Sequence, residues 1–239
     1  MDKALVSLTF DDGLRCQFER AVPLLDHYGF PATFFLVANT DPIFNDGCAE
    51  NQKHKWRKID WSARDIRLLK SMLKRGHEIG SHTVSHKRPL IQAEPMSEAS
   101  ASRNLIETWM GVEIPSFCYP FYETIQDLKE PAIRAGYQQA RTGHENAYYA
   151  SPDSVDWFAV DCRQITTGEN VSGWVKPGCW HVLTFHGIGN EQDGWEPITE
   201  LEFARQMAEL EKLRRSGAVE VLTFQDAANR LRQEKEPRG

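Results

Sequence analysis

The stretch LVSLTFDDG, residues 5–13, decides how this chain is read. A run of strand-like residues ends in two adjacent carboxylates, Asp11 and Asp12, followed by Gly13. Like charges side by side repel, and each costs free energy when it leaves water. Such a pair at the end of a buried strand needs a partner, and a cation that neutralises one carboxylate is the simplest.

Outward from that strand the sequence alternates. QFERAVPLLDHYG reads as a helix closed by glycine and ATFFLVA as a second strand. SARDIRLLKSMLKRG is a helix with a Ser62 N-cap, and HEIGSHT is a third strand. SEASASRNLIETWMG is a helix with Ser97 as its cap, followed by strand PSFCYPF, helix TIQDLKEPAIRAG interrupted near Pro131, and strand YQQAR. WFAVDCRQI and CWHVLTFHGI are further strands, TELEFARQMAELEKLRRSG a long amphipathic helix, VEVLTF a strand and QDAANRLRQ a helix. Gly29, Gly76, Gly111, Gly136 and Gly217 stand where helices should stop. Repeated strand–helix alternation implies a parallel sheet under helical cover, and the length suits one compact α/β barrel domain over residues 1–239, with 232–239 a frayed tail. A doubly wound open sheet is the alternative, but FDDGLR stands where its glycine fingerprint would be. Residues 39–62 and 142–156 are long loops of the kind that shape clefts.

Composition narrows the function. A net charge of −6 argues against nucleic acid as a partner. No apolar run approaches the roughly 20 residues of a membrane span, and MDK leads straight into a strand without a signal-peptide core, so a cytoplasmic location is expected. The five cysteines include no C-x-x-C pair, which fits reduced thiols.

Sites in parallel α/β architectures form at the C-terminal ends of strands. Those ends carry Asp11 and Asp12, then His82 and His86 in SHTVSH, Tyr119 to Tyr122, and His186 in LTFHG. Two histidines four residues apart, aimed the same way by a helical turn, supply two nitrogen donors. With one aspartate they make a metal site that keeps positions open for water and substrate, as a catalytic site must. Adjacent side chains on extended backbone face opposite ways, so one aspartate can bind metal while the other addresses the water.

These motifs resemble the polysaccharide deacetylase family, the chitooligosaccharide-deacetylase-like carbohydrate esterases: TFDDG (9–13), HTVSH (82–86), YPF (119–121) and LTFHG (183–187). The resemblance spans most of residues 5–225. It implies a distorted (β/α)7 barrel and metal-dependent removal of acetyl or other small acyl groups from N- or O-acylated sugars. It further implies that Asp12, His82 and His86 are metal ligands, Asp11 the general base and His186 the general acid. The backbone N–H of Phe121 would be an oxyanion donor. Zn²⁺ is the default ion, and such a donor set also accepts Co²⁺, Ni²⁺, Fe²⁺ or Mn²⁺.

The sequence departs from the family in two places. Many members have an Arg in the third motif, paired with the base, where this chain has Cys118. Arg141 is the first candidate to replace it and Arg163 the second. The fourth motif is ambiguous: DSVDW (153–157) matches in letters but precedes a strand, so Asp156 and Asp161 compete to orient His186. Tyr122, Trp157 and Trp195 are candidates for stacking on a sugar, with Tyr148 and Tyr149 behind them. His27, His54, His77, His144 and His181 are assigned to packing or surface. Two rival functions remain: hydrolysis of small non-sugar amides or formamides on the same barrel, and carbohydrate binding without turnover.

Overall fold

The computed structural model describes residues 3–87, 95–122, 126–143 and 148–235. Strand β1 (Ala4–Phe10) is buried along its whole length and anchors the sheet. A π-helical turn (Gln17–Ala21) leads into α1 (Val22–Tyr28), which Gly29 ends in the left-handed conformation (φ 65°). There follow β2 (Thr33–Leu36), the short α2 (Ala49–Gln52), α3 (Ala63–Lys74) and β3 (Glu78–Ser81). Next come α4 (Pro95–Met110), β4 (Ser116–Cys118), α5 (Gln126–Arg134) and β5 (Gln139–Arg141). The chain continues through β6 (Tyr148–Tyr149), β7 (Arg163–Gln164) and β8 (Trp180–Phe185). It ends with α6 (Glu200–Arg215), β9 (Val219–Val221) and α7 (Phe224–Lys235).

The sheet runs β5-β4-β3-β2-β1-β8-β6, with β7 also on β8 and β9 also on β1. Among the described strands every pairing is parallel except β6 with β8. β1 lies along β8 from Leu5↔Trp180 to Phe10↔Phe185; its other edge takes β9 first and then β2. The sheet curls almost closed. Val160 pairs with Arg141 of β5, and three residues later Arg163 pairs with Leu183 of β8. One irregular segment thus spans the gap, and this is the distortion of the expected (β/α)7 barrel.

Alternation along the strands builds two layers of core. Phe10, Phe34 and Phe185 stack at centroid distances of 4.8 and 5.3 Å under Phe203 of α6, outside the sheet. Phe35, Trp180 and Phe224 pack together within the curl, and α7 stoppers its lower end.

Three local expectations are corrected. WFAVDCRQI forms only the two-residue β7 and a bridge at Val160, because it must cross between two edges rather than lie along one. Ser97 lies inside α4, which starts at Pro95, a residue suited to the first helical turn. α5 continues through Pro131, which forgoes one backbone N–H donor without ending the helix.

Candidate active site

The C-terminal ends of β1, β3, β4, β5 and β8 carry polar side chains to one rim. There a cavity of about 510 Å³ is lined by Asp11, Asp12, His82, His86, Phe121, Tyr122, His186 and Trp195, among others. The backbone is strained at the same place. Asp12 (φ 73°), Thr83 (66°), His86 (51°), Phe121 (59°) and Tyr122 (59°) all lie in the left-handed region. Non-glycine residues held there cost about 1–3 kcal/mol each and cluster at functional sites. Gly13 shares this backbone region (φ 71°), and a Cβ on it would sit 3.1 Å from Leu36. The expected helical turn between His82 and His86 is instead an irregular turn, pinned by the His86 N–H donating to Thr83 Oγ1 (3.0 Å).

Asp12, His82 and His86 bring three donor atoms together. His86 Nε2 lies 3.1 Å from His82 Nε2 and 3.2 Å from Asp12 Oδ1, which is 3.5 Å from His82 Nε2. Tetrahedral ligands at about 2.0–2.1 Å from an ion are about 3.3–3.4 Å apart, so the spacing fits one small divalent ion. The donor chemistry fits as well. The Nδ1–H of His82 donates to the Cys118 carbonyl (2.9 Å), which turns the Nε2 lone pair of the neutral ring towards the other two atoms. Three electron-rich atoms facing one another in a buried place repel unless a metal ion or a proton lies among them. Without an ion a proton does the balancing: burial alone would raise the Asp12 carboxyl, but the hydrogen bond from a protonated His82 and the nearby His86 and His186 hold it down to about 2, and against burial Cys118 and Asp12 hold His82 well above its ordinary value. Burial, aided by the neighbouring His82, pushes His86 down to about 3. Asp11, His82 and Cys118 also lie within reach of one point. There, however, the buried Arg141 guanidinium donates to both Asp11 Oδ2 and Cys118 Sγ, and its fixed charge opposes a second cation.

Arg141 is fully buried, donates to Asp11, and also reaches Cys162 Sγ and the Thr142 carbonyl. Cys118 and Arg141 are register partners across β4 and β5. Partners in parallel strands face the same side, so the guanidinium arrives from one strand over and reaches Asp11 from the face that Cys118 also occupies. Asp11 Oδ1 has no hydrogen-bond partner among the described residues, and Asp11 is one of the residues that line the cavity. Arg163 is engaged elsewhere, stacked on Trp174 (3.0 Å) and bonded to Glu169.

His186 sits across the cavity, with Nε2 3.6 Å from Asp11 Oδ2, and burial lowers its pKa. The rings of Tyr122 and Trp195 meet it edge-on at 5.7 and 5.1 Å. The Tyr122 hydroxyl donates to Gln164 Oε1 (3.1 Å) and lies 3.4–3.5 Å from both imidazole nitrogens. Asp156 is instead held by Lys129 (2.5 Å) and by the Phe158 N–H. The Asp161 N–H bonds Tyr149 Oη (2.6 Å), and among the described residues His186 lies against Tyr122 and Asp11.

Tyr122 and Trp195 thus line the cavity as expected, whereas Trp157 does not: its ring carries the Arg232 guanidinium at 4.1 Å beside α7. Tyr148 and Tyr149 pair with His181 and Trp180 at the start of β8, at the far end of that strand from His186. His144 lies outside the described residues. Two contributions escaped the sequence. Loop 39–62 supplies Phe44, Asp46, Asn51 and Trp56 to the cavity, and its length was the only signal. The buried Gln17 donates one amide nitrogen to both the Asp11 carbonyl (2.6 Å) and the His186 carbonyl (3.0 Å), clamping two strand ends together. Nothing in its mixed neighbourhood, Arg15 to Arg20, marks it out in the sequence.

The chain belongs to the polysaccharide deacetylase family, whose profile matches residues 1–140. It is similar to a peptidoglycan-N-acetylglucosamine deacetylase of Bacillus cereus, 26% identical over 181 residues that make up 74% of this chain and 54% of that protein. It is also similar to YxkH of Bacillus subtilis, 26% identical over 144 residues, 59% of this chain and 46% of YxkH. The chain therefore spans about half the length of these relatives. Among solved structures, the Xyl-CE4 domain of a multidomain xylanase from the hindgut metagenome of Trinervitermes trinervoides superposes with a TM-score of 0.62. It is 15% identical, and the match covers 99% of this chain and 94% of that domain. A family 4 acetyl xylan esterase from Clostridium thermocellum, solved with a cobalt ion, gives 0.55 at 18% identity, covering 93% and 91%. These likenesses bear out the expected barrel. Among the described residues no helix is long and apolar enough to cross a membrane.

Proposed function

We propose that this chain is a metal-dependent hydrolase that removes an acetyl or similar small acyl group from an N- or O-acylated sugar. The observation that carries this is the meeting of Asp12, His82 and His86 within 3.1–3.5 Å of one another, beside Asp11 and His186 in one cavity. Its family and the acetyl-removing relatives point to the same chemistry.

A divalent ion held by Asp12, His82 and His86 supplies Lewis acidity that lets water act as a nucleophile near neutral pH. Asp11 takes the proton from that water as it attacks the acyl carbon. Arg141 keeps the Asp11 carboxylate anchored through Oδ2, leaving Oδ1 without a bond to the described residues and able to accept a proton. The Phe121 N–H, on a strained turn, donates to the oxyanion of the tetrahedral intermediate. His186 then gives its proton to the departing amine or alkoxide. Trp195 and Tyr122 provide faces for the sugar ring.

The test is elemental analysis of purified protein together with acetate release from a panel of N- and O-acetylated saccharides, for wild type and D11N. We expect about one divalent ion per chain in both proteins, as three strong ligands imply. Turnover should fall at least about 100-fold in D11N, the usual scale for a lost general base. Full activity in D11N removes Asp11 from its role. Metal-loaded wild type that releases acyl groups from formamides or other small amides, but from no saccharide, favours the non-sugar alternative.

A further inference from the structure

The cavity is closed along one edge by its own loops. Residues 39–62 leave β2 and residues 187–198 leave β8, the two strands that flank β1 over most of the sheet order. The loops meet above the end of β1: the Trp56 indole N–H donates to the Glu191 carbonyl (2.7 Å), and the Gln192 amide meets His54 Nδ1 (3.3 Å). Each loop is also fastened to the barrel. Lys58, 1% exposed, donates from Nζ to the Asn39 and Ile59 carbonyls, and Lys58 pairs with Leu14. On the other loop, Arg20 donates to the Ile188 carbonyl and pairs with Asp193 (2.8 Å). Gly187 and Gly194 pack back to back, where a Cβ on either would approach the other's backbone to 3.0 Å or less.

The fastened loops carry aromatic rings to the reacting groups. Phe44 meets His86 edge-on at 4.8 Å, and Trp195 meets His186 at 5.1 Å. A long polymer bound through an interior residue needs room on both sides of the residue that reacts. Here one side is a wall of backbone and indole, 3% exposed at Trp56. The volume, about 510 Å³, falls in the range of pockets for small molecules.

Building on the function proposed above, we infer that the site takes its sugar end-on: the acylated residue is the terminal ring of a short saccharide or a single sugar, not an interior ring of a polymer. Its terminal ring packs on the exposed face of Trp195 and abuts the wall at Trp56, and the rest of the chain leaves away from the tied loops.

Saturation-transfer NMR with the N-acetylglucosamine tetramer and with acetylated xylotetraose tests the binding mode without turnover. We expect saturation concentrated on one terminal ring. Saturation spread equally over the inner rings, or none on any ring at millimolar saccharide, overturns the inference. Mass-spectrometric mapping of the deacetylated position is the second readout, with terminal products expected and interior products at a comparable rate overturning it. End-ring saturation without acetate release would sink the hydrolase reading and leave the binding mode standing. W56F keeps an aromatic wall but removes the tie to Glu191, and Q192A removes the exposed second tie. Each should raise the share of inner-ring product several-fold, the scale of one hydrogen bond. An unchanged share in both variants counts against the closed edge.

Discussion

Arg141→Met tests whether the guanidinium delivered by β5 does the work expected of the third-motif position. In the wild type Arg141 is fully buried and bonded to Asp11, which is 2% exposed. Methionine replaces only the aliphatic part of the side chain and carries no charge, so it leaves the Asp11 carboxylate buried without its cation. Breaking one partner of a buried ion pair costs about 3–5 kcal/mol. For a chain of this size each kcal/mol moves Tm by about 2–4 °C, so a fall on the order of 10 °C is expected. The assay is chemical denaturation of wild type, D11N, R141M and the double variant. D11N removes the charge that R141M strands, so the double variant should be more stable than the sum of the two single losses requires, by about 2 kcal/mol or more. Additivity within about 0.5 kcal/mol, as for independent sites, would refute the pairing. A second arm exploits the register between Cys118 and Arg141. R141C should abolish turnover, and adding C118R should return at least about tenfold of it, because a charge-assisted bond to Asp11 can again form from the same face. No recovery in a folded double variant would mean that β5 supplies something beyond a charge.

Three further outcomes follow from the same geometry. Zinc at about 100 times its Kd should stabilise the protein by about 2.7 kcal/mol in denaturation, and H86A should abolish that gain; an equal gain in H86A would displace His86 from the ligand set. Burial holds the Lys58 ammonium down to about 8 from 10.5. The folded protein therefore gives up this proton before the unfolded chain does, and its stability relative to K58M should rise by up to about 3 kcal/mol between those pH values; a difference flat across pH 7.5–10.5 contradicts this. Y122F should slow an N-acetyl substrate about tenfold while changing aryl acetate hydrolysis less than about twofold, since only the poor leaving group needs an oriented His186; equal losses on both would assign Tyr122 to packing.

The parts of the site readable in the sequence are those dictated by local cost. Two carboxylates after a buried strand demand compensation wherever the strand lies, and H-x-x-x-H beyond another strand end supplies the donors. The parts that stayed hidden depend on register and on which end of a strand a side chain occupies. Tyr148, Tyr149 and Trp157 have suitable chemistry, but the antiparallel β6 and the contact of Trp157 with Arg232 put them elsewhere. Gln17 is ordinary in its own helix and takes on meaning only when the Asp11 and His186 carbonyls meet above it. The form of loop 39–62 depends on Glu191 and Leu14, far away in the sequence.

The exchange between Cys118 and Arg141 has a broader physical consequence. Asp11 responds to the position of a positive charge, not to the strand that delivers it. Neighbouring strands lie about 4.8 Å apart, less than the reach of an arginine side chain, so a guanidinium can cross one strand and end at the same oxygen. The move has a packing cost: a buried guanidinium must find acceptors for its other N–H groups. Here Thr142 O, Cys118 Sγ and Cys162 Sγ accept, Phe35 and Tyr122 lie within 5.5 Å of the charge, and Nε has no partner among the described residues. Thiols are weak acceptors but small, and they leave room for the larger side chain between them. C162V should therefore destabilise the protein more than its small change in volume implies, because it strips an acceptor from a buried cation, and it should do so far less in an R141M background. Equal losses in the two backgrounds would show that Cys162 only fills space.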